Sequence, residues 1–332
     1  MNKRLKDYTV LIILFALLML TIVMAVGLGA VHISVKEIFD ILFRGAKTDN
    51  SAILLQIRLP RVMLCLSIGA GLAAVGAVMQ SIFKNPLVDS YTLGMSSGAA
   101  LGAVISIVTG LSFSIAGLST TGVFAFIGAV STLFFVYHLA RHKNTISVNS
   151  LLLAGVAISY FLSAVMSFMM LMNHDNIQHI VFWSMGSLSL TSWSKVLISF
   201  VIILPGILIL MMFTRELNIL AMGDESAQYL GIDVEKLKKI LLVICCIIVG
   251  GVVSVSGTIG FLGLVAPHII RLICGSDNRR VIPYAALLGA ILLIASDTLG
   301  RTLIQPVEIP VGIMTSIMGG PFFIFLLRKQ RK

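Results

Sequence analysis

Residues 223–239 read GDESAQYLGIDVEKLKK, a compact set of acids and bases in a chain that is almost purely apolar on both sides. Asp224 can accept the first amide bonds of a short helix, and Gly231 can end that helix in a left-handed turn. Ala227 and Leu230 then share one face at i,i+3. Asp233 can cap a second helix that begins DVEKLKK. The expected product is a rigid two-helix knob at about residues 215–237, not a solvated loop. Elsewhere the residue types that could do chemistry are sparse. HDNIQH (174–179) is the one close pairing of histidines with an acid, and no further ligand lies near it, so no metal site is expected. H-E-x-x-H, G-x-S-x-G and the phosphate loop G-x-x-x-x-G-K-[ST] do not occur. No catalytic residue, metal or cofactor is therefore assigned.

The one acid inside an expected membrane span is Asp297, one helical turn before Arg301, and at i,i+4 the two are expected to pair. A self-sufficient ion-coupled transporter needs ionisable groups deep in its spans. With neither an ion relay nor an ATP site, any energy for transport has to come from another subunit.

The elements that must position these residues are membrane helices. Of 332 residues, 58% are hydrophobic and 11% charged, against about 25% charged in a soluble domain. Apolar runs of roughly 20 residues recur along the chain. They do not alternate as barrel strands do, and open sheets are excluded in hydrocarbon. The expectation is an all-α polytopic membrane protein with about ten spans, near 8–30, 60–82, 92–110, 116–138, 148–171, 193–213, 238–256, 258–274, 282–300 and 310–327. The first run is too long for a signal-peptide core and lacks an A-x-A ending, so it reads as a true span.

The net charge of +10 fits basic anchors on cytoplasmic loops and not a nucleic-acid partner. With both termini inside, most Lys and Arg residues, among them Lys84, Lys143, Lys238, Arg271, Arg331 and Lys332, fall on the cytoplasmic side. Arg58, Arg61 and Arg301 are stranded outside. The four cysteines, Cys65, Cys245, Cys246 and Cys274, read as small buried hydrophobes. A shift of 181 residues superposes Gly69, Gly76, Pro86 and Gly94 on Gly250, Gly257, Pro267 and Gly275, the trace expected of an inverted repeat of spans two to five and seven to ten. Gly94, Gly98 and Gly102 form a G-x-x-x-G-x-x-x-G face for close helix packing. Met166, Met169 and Met170 belong to a methionine cluster that reads as filler or as a lining for a bulky, partly apolar substrate.

Six segments together resemble the permease subunit of ABC importers for iron–siderophore complexes, haem and vitamin B12, a type II importer fold. They are RLPRV (58–62), GAGLAAVGAVMQSIFKNPLVDSYTLGMSSGA (69–99), GDESAQYLG (223–231), SGTIGFLGLVAPHIIRLICGSDNRRVIP (256–283), SDTLGR (296–301) and EIPVGIMTSIMGGPFF (308–323). Ser90 departs from the family, which often has proline after the Asp. The resemblance implies one transmembrane unit over 1–332 in a bacterial cytoplasmic membrane. It implies a second permease copy or paralogue, two ATPase subunits and an extracytoplasmic substrate-binding protein. Gly223, Asp224, Ala227, Leu230 and Gly231 match its ATPase-coupling motif. Arg58, Arg61 and Arg301 match its docking arginines, expected on exposed outer loops facing acids of the binding protein. The implied activity is uptake of an iron(III)-siderophore complex without chemistry on the cargo. Haem, cobalamin or an oxyanion is the alternative cargo, and an ion-coupled secondary transporter the alternative class.

Overall fold

The structure is a computed structural model that describes residues 3–115, 117–142 and 145–330. Lys143, Arg331 and Lys332, part of the expected charge bias, lie outside the described residues. Ten main helices carry the fold: α1 (Lys3–Gly27), α3 (Leu59–Ile82), α4 (Met95–Thr109), α5 (Thr120–Ala140), α6 (Val148–Met172), α8 (Trp193–Met212), α11 (Val234–Ser256), α12 (Leu262–Cys274), α13 (Asn278–Thr302) and α14 (Val311–Gln330). Each expected span falls on one of them. Among the described residues, seven stretches are long and apolar enough to cross a membrane, whereas α4, α12 and Val311–Ile324 of α14 are apolar but shorter. The chain is a multi-pass helical membrane protein.

Shorter elements fill the connections. The helix α2 (Val35–Arg44), absent from the sequence reading, is built from local signals: Ser34 caps it by accepting the Glu37 N–H at 3.2 Å, and Gly45 closes it in a left-handed turn. A π-helical turn (Ile53–Arg58) runs directly into α3. The helix α7 (Ile177–Ser184) follows a 3₁₀ turn at His174–Asn176. The helices α9 (Thr214–Leu220) and α10 (Asp224–Tyr229) precede α11. Two-residue strands form two hairpins, β1 (Ser114–Ile115) with β2 (Leu118–Ser119) and β3 (Arg141–His142) with β4 (Thr145–Ile146).

The centre of the bundle is α3, buried along almost its entire length. Its small residues explain this position. Lipid tails give apolar helices no hydrophobic reason to associate, so close van der Waals packing between small side chains must hold them together. A Cβ at Gly69 would collide with the Gly289 backbone of α13, and one at Gly76 with Gly263 of α12. Thus α3 can touch α8, α11, α12 and α13 at once. By contrast α6 is peripheral, with Leu151, Ala154 and Gly155 its buried residues.

The 181-residue shift does not align the two halves in structure. Gly76 lies within α3, whereas Gly257 follows α11 with φ 69°, and Pro86 lies in a loop whereas Pro267 is inside α12. Gly98 and Gly102 do face α5, where a Cβ would meet Thr132 and the Gly128 and Phe124 carbonyls. Gly94 instead precedes α4 as its left-handed N-cap, φ 76°, with its Cβ side toward Ser159 of α6.

Candidate functional site

Polar side chains gather at the two ends of α3. At its C-terminal end lies the knob. Gly223, with φ 137° and ψ 150°, turns the chain from α9 into α10, and Gly231, with φ 80°, turns it out again. Asp233 caps α11 by accepting the Lys236 N–H at 3.0 Å. Asp224 departs from its expected role. The N-cap is Gly223, and the Asp224 carboxylate is the acceptor of two ammonium groups: Lys84 at 2.7 Å and Lys238 at 2.6 Å. The Lys238 side chain is 1% exposed, so Asp224 neutralises a cation buried on α11. Lys84 reaches it from just beyond α3, in a left-handed conformation of φ 49° that non-glycine residues rarely adopt. Partial burial alone would raise the Asp224 carboxyl, but the hydrogen bonds from Lys238 and Lys84 hold it below its ordinary value.

Further bonds clamp the knob to α13. Asn218 of α9 donates to Asp277 at 2.7 Å and accepts the Asn278 N–H at 2.8 Å. Arg271 of α12 donates to the Ala77 carbonyl at 2.9 Å and to Ser81 at 3.0 Å, near the C-terminal end of α3. The expected shared face of Ala227 and Leu230 is not formed. Ala227 is fully buried against the bundle, while Leu230 is the residue after α10 and is 63% exposed. The apolar tip consists of Leu230 with Tyr229, 92% exposed, and Met222, 74% exposed.

The far end of α3 holds the three arginines, and they are not on exposed loops. Arg58 ends the π-helical turn, Arg61 lies in the first turn of α3, and Arg301 lies in the last turn of α13. Arg58 is 5% exposed and donates to the carbonyls of Val26, at 2.7 Å, Gly27, at 3.0 Å, and Val31. Arg301 donates to the Ala25 carbonyl. Two guanidinium groups therefore cap the C-terminal end of α1, where carbonyls lack helical partners. Arg61 bonds both oxygens of Asp297 at 3.0 Å through Nε, and Glu308 at 2.9 Å through Nη1. The expected Asp297–Arg301 ion pair forms at 3.7 Å, with Arg61 the closer partner of the carboxylate at 2.9 Å. Ser189 also donates to Glu308 at 3.0 Å. Burial would raise the Glu308 carboxyl, but Arg61 holds it below its ordinary value. The arginines line a pocket of about 350 Å³ with Gln305, Pro306 and Glu308.

Residues 17–329 match the model of the FecCD transport family. The chain belongs to that family. Relatives of this FecCD permease include the ABC transporter permease YvrB of Bacillus subtilis, 39% identical over 98% of this chain and 95% of the relative. The hemin transport permease HmuU of Yersinia pestis is 41% identical over 100% of this chain and 99% of its own length. The cobalamin import permease BtuC of Halobacterium salinarum is 39% identical over 86% and 76%. A solved inward-facing metal-chelate type ABC transporter superposes with a TM-score of 0.86 at 31% identity, covering 97% of this chain and 99% of that one.

The Ser90 departure from the family pattern has a physical reading. Its N–H donates to Asp89 at 2.6 Å and its hydroxyl donates to the Leu72 carbonyl at 3.1 Å, bonds that proline cannot make. Asp89 and Tyr91 in turn accept the Phe261 and Ile259 N–H groups, at 3.4 and 3.3 Å, latching this loop onto the one before α12. Met166, Met169 and Met170 lie half-buried along peripheral α6. Sequence reasoning missed Lys84, Lys238 and Tyr229. Lys238 carried a readable signal: it shares the stripe Val234, Leu237, Leu241 at helical spacing, where a lysine needs a buried partner.

Proposed function

We propose that this FecCD permease is the membrane subunit of an importer that carries an iron chelate, first an iron(III)-siderophore complex, into the cytoplasm. It works as one transmembrane unit over 1–332 with both termini cytoplasmic, beside a second permease copy or paralogue. One of two ATPase subunits binds the knob and a substrate-binding protein docks at the other face. The observation that carries this reading is the knob. The short helices α9 and α10 present an exposed apolar tip, while their base is bonded to α11, α13 and the segment that follows α3. A push on Tyr229 and Leu230 is thereby delivered to α11, α13 and that segment.

Gly223, Asp224 and Gly231 shape and tether the knob, Ala227 seats it, and Leu230 meets the ATPase. At the other face the binding protein meets the pocket lined by Arg58 and Arg301. Arg61, with both its acids already engaged, holds the wall and does not reach the partner. The cargo passes between the two permeases along α6, past Met166, Met169 and Met170. Haem is a second reading of the cargo, favoured by 41% identity over the whole chain to a permease named for hemin.

Uptake by the assembled transporter with radiolabelled iron(III)-siderophore, haem and cobalamin tests the cargo. Saturable, ATP-dependent accumulation of the siderophore is expected. Accumulation of cobalamin or haem in its place would overturn that assignment while leaving the coupling role intact.

A further inference from the structure

The helices α5 and α11 do not pack uniformly. At one end they meet through glycines: a Cβ at Gly122 would strike the Ser254 carbonyl, and one at Gly250 the Phe126 ring. Toward the knob end large side chains replace the glycines between the two helices. The result is a cavity of about 270 Å³, walled by Leu133, Phe134, Leu242, Val243 and Ile247. Its mouth carries a different chemistry. Tyr137, His138, Arg141 and Lys239 line the cavity at the knob end. Arg141 and Lys239 are exposed. Phe134, Val243 and Ile247 are exposed on the apolar flank, so the cavity opens sideways to the hydrocarbon belt as well.

We propose that this cleft binds one anionic phospholipid of the leaflet on the knob side. An acyl chain lies between α5 and α11, and the phosphate is held by Arg141 and Lys239. Three features select this occupant over any other apolar group. The walls are hydrocarbon-like and continuous with the lipid-facing surface. The basic groups stand at one end only, where the apolar helix α5 ends at Ala140, as in other basic clefts between membrane helices. Tyr137, an aromatic with a polar tip, sits at that same boundary. Glu235 lies close enough to Tyr137 to act on it electrostatically, and it reduces the net positive charge of the mouth without reversing it. A lipid wedged here would hold α5 against the first turns of α11, beside Lys238 and the knob. The inference concerns the bilayer alone and holds whatever the cargo is.

The test is native mass spectrometry of the purified full-length chain titrated with dioleoyl phosphatidylglycerol or dioleoyl phosphatidylcholine. The wild type should retain one phosphatidylglycerol about fivefold more strongly than phosphatidylcholine, the effect of roughly one net basic charge at a membrane surface. The double variant Arg141→Gln/Lys239→Gln should lose that preference and bind phosphatidylglycerol no better than phosphatidylcholine, since Glu235 remains. Val243→Trp, which fills the cleft from its open side, should lower retention of both while unfolding at the wild-type temperature. Equal retention of the two lipids by wild type overturns the proposal, as does a preference that survives the double variant. Full displacement of phosphatidylglycerol by millimolar inorganic phosphate would also overturn it, by showing a plain anion site.

Discussion

The two ends of α3 carry inverse arrangements of charge. At one end Arg61 is held by two acids, Asp297 and Glu308, and Arg301 stands 3.7 Å from the same Asp297. At the other a single acid, Asp224, is held by two cations, Lys84 and Lys238. The arginine cluster is turned inward, where it joins α1, α3 and α13. The aspartate cluster is partly exposed and leaves an apolar tip standing clear of the bundle. The first arrangement fixes helices to one another. The second fixes a projecting element to helices, which is what a mechanical contact with a soluble partner requires. Charge at a membrane boundary can therefore serve the fold itself, as Arg61 does.

The sharpest break of this comparison is Arg61→Glu. It places a third carboxylate beside Asp297 and Glu308, and even Arg61→Ala strands the buried Asp297 at a cost of about 3–5 kcal/mol. Loss of monodisperse protein in detergent is expected, and a normally folded Arg61→Glu variant would show the cluster to be dispensable. Next comes Asp224→Ala, which leaves Lys238 buried without its carboxylate and should cost about 3 kcal/mol. Adding Lys238→Met should restore most of the thermal stability, because the stranded charge is gone. If the double variant unfolds as early as the single one, the tether is not what Asp224 supplies. Lys84→Ala breaks a pair exposed on both sides and should cost no more than about 1 kcal/mol.

Two smaller tests sharpen the difference. The Asp224 carboxyl sits below its ordinary value of 3.8. Its contribution is therefore complete above that value and is lost as pH falls through the lower folded value. Knob stability, followed by amide exchange of α10, should be flat between about pH 5 and 9 and fall only in stronger acid. Binding-protein affinity should change little with salt, because Arg58 and Arg301 are buried and poorly screened. A steep salt dependence would show that exposed charges do the docking.

Much of this was legible in the sequence, and most of the failures have a common cause. Apolar run length located ten helices because hydrocarbon imposes a length on each. The knob was legible because Gly223, Gly231 and Asp233 act locally, through the turns and caps they make. The helix α2 was missed although Ser34 and Gly45 stand as readable ends, because apolar run length alone was followed. The partners of Asp224, Arg61 and Arg58 were not legible, since each lies tens or hundreds of residues away or is a backbone carbonyl. The mistaken faces of Ala227 and Leu230 have the same origin. Helical spacing said they were neighbours, but the helix ends at Tyr229 and Leu230 points elsewhere.

The central claim is that this chain transmits force and does not generate it. Leu230→Asp measures that most directly, in liposomes holding the permease, its ATPase and its binding protein. Leu230 is exposed, so the variant should fold within about 0.5 kcal/mol of wild type. Copurification of the ATPase and ATP-driven uptake should both collapse, because a charge enters an apolar contact. The permease without its ATPase should accumulate nothing under an imposed proton or sodium gradient. Normal copurification and uptake by Leu230→Asp, or gradient-driven accumulation by the chain alone, would contradict the account.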